Sequence, residues 1–491
     1  MENKKTKIVS IVAIVALALT LVTATFAYFQ AQTGEGSQTD IKINANTVDT
    51  FTFETGSAIS LNINQYNFAS GAGNQSGTTF AKAMLTANNK TNTASEHYYM
   101  YLNISENTFT YTQDENAPEI LLTIKDESNN EITSINGLIY KTVTDGKGSS
   151  ISGFDITNQS GLITIFENRE ITTSSSTTEE WNITLTYVNY NENQSANAGK
   201  SFNSNVMIQK EIIPSALSDI CTSGNNLTTC ITTLANNSKS DYTKIYHHTS
   251  TLTNGARDNS YRYAGANNSV KNYICLGSTE TTCPEENLYR IIGVFGDQVK
   301  VIRAKTESNQ YWDTNGSNTW STSSLNTYLN GTYLTSLGTL ADKIAITAYK
   351  VGGSTSANLL FSPPATAYLN EVGSSASSTT HNAKIGLMYM SDYYYGASPS
   401  AWTLVGLNEN DPTKDYSAAT TMNWLYSGFE EWTITRYTQS ARRAFRVHSD
   451  GFLGNPTVNE FNLAVRPVFN LESSTTYVSG SGTVIDPIVI N

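Results

Sequence analysis

The chain has 491 residues, enough for two or three domains rather than one small one. Charged residues make up 15%, apolar residues 39% and aromatics 10%, a balance that excludes charge-driven disorder and leaves ample material for buried cores. The formal net charge is −12, and residues 1–27 carry Lys4, Lys5 and Lys7 against Glu2 alone, so the remainder carries −14; such a body repels nucleic-acid phosphates, and no nucleic-acid partner is expected.

In chain order, the first predicted element is an export segment, residues 1–29. Three lysines precede an uncharged apolar run from Ile8 to Phe29, and the next charge is Glu35. A positive start before an apolar run is handled by the export machinery, and the positive end stays inside. The run is long enough to cross a bilayer, which takes about 20 residues. It is therefore expected either as a membrane anchor facing outward or, after cleavage behind Ala27, as a removed signal that leaves a secreted or cell-surface protein. The stretch Ala24-Thr25-Phe26-Ala27-Tyr28-Phe29 resembles the signal region of camelysin-type and biofilm-fibre proteins of spore-forming bacteria. Gln30, Ala31 and Gln32 stand where acidic residues are usual in those proteins.

Residues 30–213 read as a β-sandwich domain. Apolar and polar residues alternate at Ile41/Ile43, Phe51/Phe53, Ile59/Leu61/Ile63, Ile120/Leu122/Ile124, Trp181/Ile183/Leu185/Tyr187 and Val206/Ile208. Period-2 alternation gives each strand one buried and one wet face. Pro214 cannot donate to a ladder and closes the domain. Residues 214–245 read as a linker with a short helix near Leu217–Leu234.

Residues 246–491 read as an α+β domain. The run Leu288 to Ile302 is a hairpin whose apolar strands flank Gly296-Asp297-Gln298. A helix follows, with Ser321 or Ser323 as its cap and Leu325, Tyr328, Leu329, Tyr333 and Leu337 on one face. Short strands and long loops complete the domain, among them Ile385–Met390, Val465–Leu471 and Ile488-Val489-Ile490.

Long motifs carry a resemblance here: Asn259-Ser260-Tyr261-Arg262-Tyr263, Asn287-Leu288-Tyr289-Arg290-Ile291-Ile292-Gly293, Gly386-Leu387-Met388-Tyr389, Asn423-Trp424-Leu425, Glu431-Trp432-Thr433-Ile434, Ser449-Asp450-Gly451 and Val465-Arg466-Pro467-Val468-Phe469. Over about 250 residues the chain resembles a functionally unassigned family of surface proteins from gut Firmicutes and related bacteria. The closing Trp motif, Ser-Asp-Gly and Val-Arg-Pro-Val-Phe strand look like the end of C-type-lectin-like domains related to formylglycine-generating enzymes. This implies a C-type-lectin-like fold with an irregular, loop-rich core. Those enzymes use cysteines near the C-terminus, whereas none follows Cys283 here.

Cys221 and Cys230 form one close pair, Cys275 and Cys283 another. An even count in an exported chain makes disulfides the expectation. Zinc would want Cys-x-x-Cys spacing or partner histidines. No hydrolase elbow, zinc-protease helix motif or phosphate-cradling glycine loop occurs. The histidines His97, His247, His248, His381 and His448 have no nucleophile partner at motif level. Glu430-Glu431 reads as two neighbouring acids that point opposite ways, one of them solvated, rather than as a glycosidase pair.

Two further candidates are small. Asp313, Asn315 and Ser317 make an oxygen-rich turn around Gly316 that could hold calcium, although a self-satisfied turn has the same composition. Tyr393, Tyr394, Tyr395 and Trp402 lie in a loop-like stretch and could form a contact surface for glycans or proteins, or could equally pack inside. The expectation is a cell-surface, non-enzymatic adhesin or ligand-binding protein whose partner is a host or microbial surface glycan or protein. Two alternatives stay open: a fibre subunit that self-associates by strand donation, and an extracellular hydrolase whose His, carboxylate and Ser meet only in space.

Overall fold

The computed structural model describes residues 49–63, 71–88, 93–278, 280, 282–373, 379–406 and 415–491. The expected export segment lies outside the described residues; among those described, no helix is long and apolar enough to cross a membrane. The protein is mainly β, built from several antiparallel sheets. It forms two compact units that meet in sequence at Ile212 and Ile213.

The first unit contributes β1 (Thr50–Thr55), β2 (Ile59–Asn62), β3 (Gln75–Thr86), β4 (Ala94–Asn107), β5 (Ile120–Asp126), β6 (Tyr140–Thr144), β7 (Ser150–Asp155), β8 (Gly161–Thr173), β9 (Ser176–Tyr187) and β10 (Ser201–Gln209). One sheet runs β1-β3-β9-β5-β7-β6, the other β2-β10-β4-β8. The alternation read in the sequence becomes the burial pattern. Along β9, Trp181, Ile183, Leu185 and Tyr187 are buried, while Thr184 and Thr186 face out and share hydroxyl contacts with Thr78 and Ser76 on β3 at 3.1 and 3.2 Å. Side chains from both sheets enter one apolar cluster, among them Leu102, Ile104 and Phe202 from one and Ala83, Leu122 and Ile183 from the other. A polar chain joins the sheets at its edge. Trp181 Nε1 donates to the Tyr98 hydroxyl (2.9 Å), and Tyr98 donates to Glu179 (2.6 Å). Arg169 grips both oxygens of Glu179 at 2.8 Å, its guanidinium 4.7 Å above the Trp181 ring.

The second unit is organised around a nine-stranded sheet with Leu288–Phe295 and Gln298–Arg303 near its centre. They form the predicted hairpin, with Gly296 at φ 63° in the turn. Val468–Asn470 and then Ile385–Gly386 flank one side. Tyr273–Cys275 flanks the other and pairs parallel with Ile488–Ile490. A five-stranded sheet is built on Glu431–Arg436, Ala444–Val447 and Leu463–Val465. The helix predicted after Ser323 is present, with the Ser323 hydroxyl accepting from Asn326 N at 3.1 Å. It widens into a π turn at Leu329–Tyr333.

Two expectations are corrected. The segment 214–245 is no linker: helix Leu227–Asn237 buries Leu227, Cys230, Ile231 and Leu234 in the core of the second unit, and Ile245–His247 is already a strand of its sheet. The stretch holding the three tyrosines is no loop but helix Met390–Gly396, buried on every side. Even its polar residues Ser391 and Asp392 are buried, so it has no face to give to solvent.

Candidate functional site

Trp312, Trp320, Trp424 and Trp432 are all buried core residues. So are Tyr393, Tyr394, Tyr395 and Trp402: each is no more than 3% exposed, so of the two readings left open by the sequence they take the packed one and form no exposed contact surface. Their polar ends are satisfied inside. Tyr393 donates to Gly451 O (3.0 Å), Tyr395 to Asn254 O (3.2 Å) and Trp402 Nε1 to Ala397 O (2.7 Å). A buried tyrosine hydroxyl or indole N–H usually finds such a partner.

Two of the four nonetheless reach a cleft from beneath. Leu359, Ser362, Pro363, Pro364 and Ala367 form one wall, Thr403 and Val405 the other, and Tyr394 and Trp402 the floor, around a space of about 110 Å³. The proline wall follows from local rules. Pro364 opens helix Pro364–Val372, where a missing N–H costs nothing, and its carbonyl accepts from the Tyr394 hydroxyl at 3.4 Å. The floor is braced from behind, because Trp402 packs against Tyr395 and His248 with ring centroids at 5.2 Å in both cases. Burial pushes the Tyr394 hydroxyl well above its ordinary range, so it stays neutral. Among the described residues every lining side chain is uncharged, and Ser362 and Thr403 supply the only hydroxyls apart from the tyrosine's. The cleft suits one neutral ring or apolar side chain; drug-sized ligands occupy roughly 300–1,000 Å³. The cleft was not legible in the sequence beyond its floor. The dipeptide Pro363-Pro364 was the one available signal for its wall.

Of the two readings of the oxygen-rich turn, the geometry of Asp313 supports the self-satisfied one. The Asp313 side chain is turned inward, with Oδ2 accepting from Ser317 N (2.8 Å) and Oδ1 from Ser324 N (3.0 Å). Ser317 donates to Thr319 and Asn315 is exposed. With both carboxylate oxygens engaged by backbone amides, the turn satisfies itself. No group of three or more His, Cys, Asp or Glu suited to a metal occurs among the described residues. The cysteines are joined as expected, Cys221 to Cys230 and Cys275 to Cys283.

One constellation is visible only in space. His448 Nε2 lies 2.9 Å from Glu430 Oε1, and Ser449 Oγ lies 3.5 Å from His448 Nδ1. The order Ser, His, Glu is that of a hydrolytic triad. Nδ1, however, already accepts Asp450 N–H at 3.2 Å, the His448 ring stacks on Phe452 at 4.2 Å, and Arg446 holds the other Glu430 oxygen at 2.5 Å. None of these residues lines the cleft. Glu431 points the other way: it is buried and accepts from Arg466 Nε at 2.8 Å.

No protein-family model, curated protein or solved structure matches the chain.

Proposed function

We propose that this is an exported, cell-surface, non-enzymatic protein whose second unit binds a neutral group on a host or microbial surface glycan or protein, at the cleft rimmed by Ser362, Pro363, Pro364 and Thr403. The cleft itself carries the reading. Its lining among the described residues is uncharged, and its solvent-facing members include Pro363 and Pro364, whose rings have little freedom to lose on binding. A sugar's C–H face or an apolar side chain is the chemistry it accepts. Export is supported by the charged-then-apolar start of the chain and by two disulfides, which persist in oxidising surroundings. In this reading the first unit is a β-sandwich stalk, supported by its two sheets sharing one apolar cluster. The second unit is a C-type-lectin-like core, supported by the motifs that close the chain and by Ile488–Ile490 lying in the central sheet.

The test is a glycan and surface-protein array probed with the full chain and with Thr403→Trp. Thr403 is an exposed member of the cleft rim, so a tryptophan there blocks the opening without entering the core. The expected outcome is binding by the native chain that falls at least tenfold in the variant. Binding of equal strength by both, or none by either, overturns the assignment.

A further inference from the structure

A second cluster lies inside the same unit, away from solvent and unrelated to the cleft lining. Lys300 comes from strand Gln298–Arg303 and Asp392 from helix Met390–Gly396, 92 residues apart in sequence, and both are buried. Lys300 Nζ stands 2.5 Å from Asp392 Oδ2, between the rings of Tyr389 (4.7 Å) and Phe295 (5.1 Å). The other oxygen, Asp392 Oδ1, lies 4.0 Å from Arg262 Nη1. That nitrogen is buried and has no hydrogen-bond partner among the described residues, although the rest of the guanidinium is anchored, Nε on Ser260 (2.8 Å) and Nη2 on Asp258 (2.6 Å). Glu371, also buried, accepts from the amides of Met390 (2.9 Å) and Ser391 (3.0 Å), the two residues before Asp392, and from the Thr435 hydroxyl.

An amine, a carboxyl in contact with it, an unused donor beside the carboxyl oxygen and a further buried carboxyl are the parts of an amide-forming site. From this geometry we infer that Lys300 and Asp392 condense with each other into an intramolecular isopeptide bond, Arg262 steadying the oxyanion and Glu371 carrying the proton. The step needs no outside reagent. A proton passes from the Lys300 ammonium to the Asp392 carboxylate, leaving amine and acid. The nitrogen lone pair attacks Asp392 Cγ, the C–N bond forms, and the carbonyl electrons move onto the oxygen facing Arg262 Nη1. Glu371 gives its proton to the departing hydroxyl and takes one from the nitrogen; the C–O bond breaks and one water leaves. Burial favours each starting form, pushing the Lys300 ammonium toward the neutral amine and the Glu371 carboxyl toward its protonated state. The product replaces two desolvated charges with one neutral amide, which removes the burial penalty of the ion pair. Exclusion of water protects that amide from hydrolysis.

The full chain, reduced, denatured and digested with trypsin, is to be read by mass spectrometry. The expected result is a branched peptide joining Lys300 to Asp392, lighter by one water than its two halves, with no cleavage after Lys300. Finding those residues in separate linear peptides of the native chain overturns the proposal, whatever the variants do. Lys300→Met is expected to restore the linear Asp392 peptide. Glu371→Gln, whose NH2 must face the Met390 or the Ser391 amide and whose fold is therefore checked by circular dichroism, is expected to leave the bond unformed. A full yield of branched peptide in that variant overturns the role of Glu371.

Discussion

His248 shows how far a single residue departs from what its type suggests. It is fully buried, Nδ1 accepts from Ala256 N at 2.9 Å, and Nε2 has no hydrogen-bond partner among the described residues. Burial, helped by the Arg262 guanidinium and by His247 and opposed by Asp258, pushes its pKa down to about 2. The unfolded chain takes up a proton near its ordinary value of about 6.5, while the folded chain does not. Stability from this residue is therefore complete above pH 6.5 and declines as pH falls toward about 2. At pH 5 the loss amounts to about 2 kcal/mol, at roughly 1.4 kcal/mol per pH unit. Urea unfolding between pH 7 and pH 5 measures it, and His248→Gln is expected to flatten the slope. Residue-scale roles were unevenly legible. The opposed directions of Glu430 and Glu431 followed from their adjacency. The burial of Tyr393, Tyr394 and Tyr395 did not, since three consecutive tyrosines have no periodicity to report which face is covered.

At the scale of elements, periodicity carried most of the fold. The β9 alternation, the hairpin around Gly296 and a serine cap at 321 or 323 all followed from patterns within a few residues, and the structure puts the cap on Ser323. Gly293 shows what such patterns miss. Read along the sequence it is one residue in an apolar strand. In the sheet it sits at a register shift between Leu288–Phe295 and Gln298–Arg303, and an added Cβ would meet Tyr261 O at 2.2 Å. A strand glycine of this kind marks close backbone approach. Gly293→Ala is expected to destabilise the second unit by roughly 2–3 kcal/mol, read as an earlier denaturant midpoint with an unchanged slope. A neutral substitution would mean the neighbouring strand Tyr261–Tyr263 yields without cost. A helix was expected near Leu217–Leu234, and the one found, Leu227–Asn237, begins ten residues later. Its membership of the second core was not legible, because a linker helix and a packed one share the same amphipathic pattern.

On the scale of the whole molecule, the two units have separate apolar clusters and only the second holds cysteines. Heating is therefore expected to give two unfolding transitions, of which reduction lowers only one. Each disulfide closes a loop of about ten residues and contributes roughly 2–3 kcal/mol in the chain-entropy account. Calorimetry with and without reductant tests this; a shift in both transitions would refute the independence of the units. Mainly β architecture, a boundary near residue 213 and the two cysteine pairs were determined by the sequence itself, because alternation, proline and loop closure act over short stretches of chain. Only the tertiary structure decided that Asp313 satisfies a turn, that the tyrosines lie inside, and that Lys300 meets Asp392. Those outcomes depend on which distant segment covers a residue, and burial, not residue type, sets whether a ring binds a partner, whether a carboxylate is free for a metal, and whether an amine is free to react.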